Sequence, residues 1–299
     1  MKRYSVRPAR LSDLEAVHAI IATQNTIDYG NALRTLADVQ KTWQSLNLDN
    51  DTCAAFADGQ MAGYAELLDN DSPFIYLADR HNVDLAFQLL TILEKMAADR
   101  KKSSVNLFTK ISENNNTLLQ LYASNGYKSN LSFQIMELEM QEYPPAPQWP
   151  DGIRVRTFIK GLDEKVTYQT DEEASRDKGY HDPLGYEDWV KRMRMNGESF
   201  DPSLWFLAGA GDEVAGVVLN FFAKESSTGW VDHLSVRTSW RNQGIGRALL
   251  LHSLAEFYRR NIHKIKLSVD SKSLTNAPRL YESVGMKTVQ QYHIYRKEI

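Results

Sequence analysis

Four prolines fall within the eight residues Tyr143-Pro144-Pro145-Ala146-Pro147-Gln148-Trp149-Pro150, close to the middle of a 299-residue chain. Proline lacks an amide proton and has a fixed φ, so such a run fits neither a helix interior nor a central strand. It reads as a semi-rigid linker over 143–150. The linker leaves two stretches, 1–142 and 151–299, each of single-domain size. Hydrophobic residues make up 42% of the chain, enough for two cores.

The two stretches resemble each other. Each opens on a short strand pattern around an arginine, Ser5-Val6-Arg7-Pro8 and Arg154-Val155-Arg156-Thr157. A helix pattern follows, clearer in the first, where Ser12 or Asp13 can cap and Leu14, Val17, Ile20 and Ile21 share a face. Each then carries a hairpin pattern, over Ala55 to Tyr64 and over Phe206 to Val217. Each closes with a strand, a short helix and a strand, and the helix carries Leu-Tyr-x-x-x-Gly-x-Lys. Tyr122 and Tyr281 stand 159 residues apart, as do Gly126 and Gly285. A glycine after an apolar helix face is a common helix ending, but the shared order of the other elements points to duplication.

Several function classes are excluded or disfavoured. A net charge of -3 supplies no basic field for nucleic acid. The lone Cys53 forms no internal disulfide, and its run Cys53-Ala54-Ala55-Phe56-Ala57 reads as a buried strand. The seven histidines are scattered without metal-ligand spacing. No apolar stretch approaches a membrane span, and residues 1–7 show no secretory h-region, so a cytoplasmic protein is expected.

The sharpest local feature lies in the second stretch. Trp230-Val231-Asp232-His233-Leu234-Ser235-Val236 reads as a strand, then comes Arg241-Asn242-Gln243-Gly244-Ile245-Gly246-Arg247-Ala248, then an amphipathic helix. A helix start leaves backbone N–H groups unpaired and carries partial positive charge. Gly244 and Gly246 let an anion approach those groups, and Arg241 and Arg247 can add charge-assisted contacts. A diphosphate is the natural guest. Gly-x-Gly alone is weak, but here a strand precedes it and a helix follows. Walker A is excluded because no Gly-Lys-Ser/Thr follows, and a dinucleotide fingerprint fits poorly because the third glycine is missing.

Arg241-x-x-Gly244-x-Gly246 after a Leu-x-Val strand resembles the acetyl-CoA signature of the GNAT N-acetyltransferases, and Asn276-Ala277-x-x-Leu280-Tyr281-x-x-x-Gly285-Met286 resembles that family's next element. The resemblance covers about Trp230 to Lys287. It implies an α/β (α+β) fold of two tandem GNAT-like domains, each a twisted, mixed, mostly antiparallel sheet flanked by helices. It further implies that Arg241, Asn242, Gln243, Gly244, Ile245, Gly246, Arg247 and Ala248 hold the CoA pyrophosphate. Leu234, Ser235 and Val236 would pair with the pantetheine arm, with a strand N–H polarising the thioester carbonyl. Asn276 would contact the cofactor, and Tyr281 would protonate the departing thiolate; packing alone is the other reading of Tyr281.

The corresponding stretch of the first half, from Phe74 to Phe87, has no glycine and places Asp79 and Asp84 where a diphosphate would sit. That half reads as a degenerate GNAT domain whose Tyr122 has no thiolate to serve. For the general base the candidates are Asp232, His233, Glu172, Glu173 and His181. His233 is favoured by its strand, although strand alternation allows it to point either way. The charged run Asp171 to Lys178 reads as a solvated helix face. Tandem architecture with one intact site also resembles the mycothiol synthases, on Tyr180-His181-Asp182-Pro183 and Phe200 to Ala208. The acceptor expected is a primary amine, with thiol- or sugar-linked amines, aminoglycosides, amino acids and protein amines all open. A non-catalytic acyl-CoA sensor of the same fold is the alternative, and a nucleotide-binding protein a weaker third. No metal, nucleic acid or membrane is expected as partner, and a monomer with an internal pseudo-dimer is the expected assembly.

Overall fold

The computed structural model describes every residue except 1–2, 31, 33, 101–103, 177–182, 194, 196, 198–199 and 274–275. Its contacts divide the chain into two compact units, Met1–Phe133 with Gln290–Ile299, and Gln134–Val289. The proline-rich stretch lies inside the second of these.

Unit 1 starts with β1 (Ser5–Arg7), α1 (Leu14–Tyr29), α2 (Leu36–Ser45) and α3 (Leu48–Asp51). Then follow β2 (Thr52–Ala57), β3 (Gln60–Leu67), β4 (Pro73–Leu77), α4 (Val83–Arg100), β5 (Asn106–Ser112), α5 (Asn116–Ser124) and the first half of β6 (Lys128–Glu139). Strands β1-β2-β3-β4 form an antiparallel sheet. The β2–β3 turn places Asp58 at φ 50° and Gly59 at φ 79°, the pair of positive φ values that a two-residue hairpin of type I′ demands. Strand β5 stands apart from β4 and pairs antiparallel with the C-terminal residues Tyr292 to Glu298. Cys53 is 2% exposed on β2, and burial pushes its thiol up to about 12, which leaves it inert.

Unit 2 contains β7 (Arg154–Thr157), α6 (Glu164–Ser175), α7 (Tyr186–Arg192), β8 (Trp205–Ala210), β9 (Glu213–Ala223), β10 (Thr228–Val236), α8 (Ile245–Arg259), β11 (Lys264–Asp270), α9 (Ala277–Glu282) and the start of β12 (Lys287–Glu298). Its sheet runs β6-β11-β10-β9-β8-β7. All its resolved registers are antiparallel except β10 with β11. Leu249, Leu250, Leu251, Leu254 and Phe257 of α8 pack into one core with Leu207, Val217, Val218 and Leu219 of the sheet.

Arginine opens both units in the same way. Arg7 forks onto Asp13 at 2.7 and 2.9 Å, and Arg156 onto Asp163 at 2.5 and 2.7 Å. Each aspartate precedes the first residue of its unit's first long helix, and its guanidinium partner holds its carboxyl below the ordinary value. Asp13 thus serves Arg7 and the Arg10 amide (2.8 Å) and gives α1 no side-chain cap, unlike the capping expected from sequence. Val17, Ile20 and Ile21 are buried as their spacing predicts, but the same face continues into buried Gln24, Asn25 and Asp28. Helix α6 likewise buries polar residues: Thr167, Thr170, Asp171 and Ser175.

Gly209 sits where β8 bulges against β9. A Cβ there would lie 2.1 Å from the Glu213 carbonyl oxygen and 3.1 Å from the Val214 Cα. Backbone cannot retreat as a side chain can, so Gly209→Ala is expected to cost about 2–3 kcal/mol, read as a lowered thermal midpoint.

Candidate active site

The site of unit 2 begins where two neighbouring strands part. Strand β10 pairs in parallel with β11 only over Thr228↔Lys264, Gly229↔Ile265 and Trp230↔Lys266. Beyond that, β10 continues to Val236 along β9 alone, after a register shift between Val231 and His233 that makes Asp232 the bulged residue. A bulge re-aims the side chains beside it and bends its strand. The result is a β10 edge, from Leu234 to Val236, facing away from β9 and out of register contact with β11.

At the end of that edge the chain makes a short 3-10 turn (Thr238–Trp240) and enters α8. Asn242 has φ 61° and Gly244 has φ 89°, left-handed conformations that asparagine and glycine tolerate best. A Cβ on Gly244 would meet nothing within 4 Å, so this glycine is required by its backbone angle and by whatever must come close. The first helical bond is Ala248 N to Gly244 O at 3.0 Å. The amides of Ile245, Gly246 and Arg247 thus belong to the helix start, where no carbonyl lies one turn back to receive them. Ile245 and Ala248 are buried and anchor the turn, while Asn242, Gln243, Gly244 and Arg247 are exposed. This donor set, with an open approach and partial positive charge, fits a diphosphate. Arg241 is engaged differently from the sequence expectation: its guanidinium donates to the carbonyls of Val236 (3.1 Å) and Ala174 (2.9 Å). It fastens the loop to β10 and α6.

A buried carboxylate lies against the same strand. Asp171 of α6 is 2% exposed and meets three side chains: His233 Nδ1 at 2.9 Å, Ser235 Oγ at 2.7 Å and Trp189 Nε1 at 2.9 Å. Burial raises its pKa, but the charge of the His233 ring and hydrogen bonds from His233, Trp189 and Ser235 outweigh that and hold the carboxyl well below the usual range. An ionised carboxylate can only accept, so all three partners donate. For a neutral His233 this fixes the proton on Nδ1 and the lone pair on Nε2.

Sequence reasoning placed Asp171 on a solvated face and did not single out Trp189. The available signal was spacing: Thr167, Thr170, Asp171, Ala174 and Ser175 recur at helical intervals, a face of small and polar residues rather than aliphatic ones. Of the other candidate bases, Asp232 is exposed at the bulge, Glu173 pairs with Arg237 at 3.5 Å, and Glu172 is half-buried. Tyr180, His181 and Asp182 lie outside the described residues. Tyr281 is 8% exposed on α9, and Asn276 precedes that helix at φ 52°.

In unit 1 the corresponding helix start is closed by its own side chains. Asp79 Oδ1 accepts from the His81 amide at 3.0 Å and Asn82 Oδ1 from the Leu85 amide at 3.1 Å. Tyr122, the counterpart of Tyr281, is 1% exposed and donates to the Pro73 carbonyl at 3.1 Å. Among the described residues no cluster of metal-ligating side chains occurs, and no helix is long and apolar enough to cross a membrane.

Residues 165–286 match the acetyltransferase (GNAT) family. A crystal structure of a GCN5-related N-acetyltransferase from Sphaerobacter thermophilus is 32% identical, with a TM-score of 0.82 over 99% of this chain and 95% of that one. The chain therefore belongs to the GCN5-related N-acetyltransferase family. Within it, the chain is similar to the mycothiol acetyltransferase of Thermobispora bispora, 34% identical over 162 residues, 51% of this chain and only about half (52%) of that relative's length. The mycothiol acetyltransferase of Geodermatophilus obscurus is 28% identical over 251 residues, 79% of this chain and 78% of its own. A tandem GNAT protein from the clavulanic acid biosynthesis pathway shares the fold, at a TM-score of 0.67 and 14% identity over 99% of this chain and 98% of that one.

Proposed function

We propose that this chain is an acetyl-CoA-dependent N-acetyltransferase that works in unit 2 on a primary amine of a small molecule. The observation that carries the reading is the parting of β10 from β11 beside a glycine-headed helix start. The start of α8 would hold the diphosphate, and the outward edge of Leu234 to Val236 the amides of the pantetheine arm. Acetyl-CoA supplies the activated acyl group. A β10 amide directed at the thioester carbonyl would stabilise the negative charge that develops there. His233 Nε2 would take the proton from the amine as its nitrogen bonds to the acyl carbon. Tyr281 would return a proton to sulfur as the C–S bond breaks. The relatives named mycothiol acetyltransferase favour a small-molecule acceptor over a protein.

The test is release of free CoA thiol from acetyl-CoA across a panel of small primary amines. Turnover with at least one amine is expected. Tight acetyl-CoA binding without turnover on any amine would leave an acyl-CoA-binding module instead. Tyr281→Phe removes only the phenolic hydroxyl from a buried ring. It is expected to lower kcat about 100-fold with little change in acetyl-CoA affinity; an unchanged kcat would assign Tyr281 to packing.

A further inference from the structure

The two units can be aligned residue by residue on features that have nothing to do with a ligand. Asp13 and Asp163 make the same forked pair at the head of α1 and α6. Eleven residues further on stand Gln24 and Ala174. In the sheets, the Ala62 carbonyl accepts from the Ala78 amide at 3.0 Å, and the Ala215 carbonyl from the Arg237 amide at 2.9 Å. Ala62 and Ala215 each precede the glycine of their strand, Gly63 and Gly216. Ala78 thus corresponds to Arg237, Leu77 to Val236 and Ile75 to Leu234.

In an antiparallel pair, alternate residues turn their N–H and C=O groups toward the partner and away from it. With Ala78 bonded to β3, the groups of Leu77 and Ile75 face away. That is where Gln24 binds: its Nε2 donates to the Ile75 carbonyl at 3.2 Å and its Oε1 accepts from the Leu77 amide at 3.0 Å. The equivalent groups in unit 2 are the Leu234 carbonyl and the Val236 amide, the outward edge assigned above to the pantetheine arm. A glutamine side chain offers the same acceptor and donor as a pantetheine amide. Gln24 is 6% exposed and Ala174 is 6% exposed, so both positions face inward, one filled by an amide and one by a methyl group.

We infer that Gln24 is a built-in occupant of the cofactor slot of unit 1, and that Ala174 is the residue that keeps the matching slot of unit 2 open to acetyl-CoA. In naming the slot this statement rests on the function proposed above; the hold of Gln24 on β4 does not. A 340 Å³ cavity beside Gln24, lined among others by Ile75, Tyr76, Ile111 and Tyr122, is what remains of the slot. The capped start of α4 removes the anion site at its far end. Unit 1 is therefore closed to CoA at both of the places where the cofactor would be gripped, and the closure is made of side chains.

Two measurements on the full chain test this. Gln24→Met keeps the length of the side chain and removes the amide, so the Leu77 amide should exchange with solvent roughly tenfold faster. Unchanged exchange at Leu77 would overturn the assignment of Gln24. Ala174→Gln should weaken acetyl-CoA binding by about 100-fold in a calorimetric titration, with Ala174→Ser binding like the wild type and the circular dichroism of both variants unchanged. Binding by Ala174→Gln at wild-type affinity would overturn the assignment of Ala174. A wild-type chain that binds no acetyl-CoA would defeat the proposed function and Ala174's part with it, while Leu77 exchange would still decide the case of Gln24.

Discussion

Asp171→Asn should cut turnover by about 10⁴-fold while acetyl-CoA binds as before, the scale that loss of the correct histidine tautomer produces in serine-protease triads. Asparagine fits the space of Asp171 and keeps one acceptor oxygen for the Trp189 indole or the Ser235 hydroxyl. Its NH₂ group, however, is a donor. Placed against His233 Nδ1 it demands a lone pair there, and the ring must move its proton to Nε2. A ring protonated on Nε2 cannot take a proton from an amine. Steady-state kinetics and a calorimetric titration separate the outcomes: a fall in kcat with unchanged affinity supports the orientation of His233 by Asp171. Equal kcat in the variant would remove His233 Nε2 as the base. The lowered pKa of Asp171 also sets a sign for stability. A carboxyl whose folded pKa is depressed contributes stability above its unfolded pKa and loses that contribution as the pH falls through the folded one.

Replacing Gly244 and Gly246 together with Glu should abolish measurable acetyl-CoA binding. Gly244 sits at φ 89°, where a Cβ costs about 1–2 kcal/mol, so the loop leaves its present path and carries its amides with it. A carboxylate at 244, where a side chain meets open space, also brings like charge to the diphosphate, and one at 246 would press on Leu280 and Val236. Losing charge-assisted bonds worth about 1.5–3 kcal/mol each amounts to a hundredfold or more in affinity. Calorimetry on wild type and variant is the measurement. One wild-type site, absent in the variant, is the expected result; a site that survives would place the cofactor elsewhere in the chain.

The parts of this molecule that were legible in its sequence are those with local signatures. The Asp58-Gly59 turn, the burial of Cys53, the helix starting near Gly244 and the paired Tyr122 and Tyr281 each follow from a few neighbouring residues. The Asp171 network was not legible because it joins α6, α7 and β10 across long separations: Asp171 and His233 are 62 residues apart. Its helix also lacks the aliphatic stripe that marks a buried face. The two carbonyl contacts of Arg241 were hidden for a related reason. An arginine in a phosphate loop invites a contact with the anion, but its fork reaches two carbonyls that only the folded α6 and β10 bring together. The passage of Gln290–Ile299 into unit 1 leaves no mark either, since a strand's partner is not written in the strand.

Gln24 gives the pair of units an asymmetry of concentration. A freely diffusing molecule competes for its site at whatever level the surroundings provide, whereas a group fixed to the same chain acts at the millimolar scale or above and cannot be diluted. Free cofactor must therefore exceed that effective level before it displaces the amide on β4. A titration of the whole chain should saturate at one equivalent, and a competing CoA analogue should show a simple one-site curve. The duplicated half is held in its liganded form by covalent attachment to its own ligand.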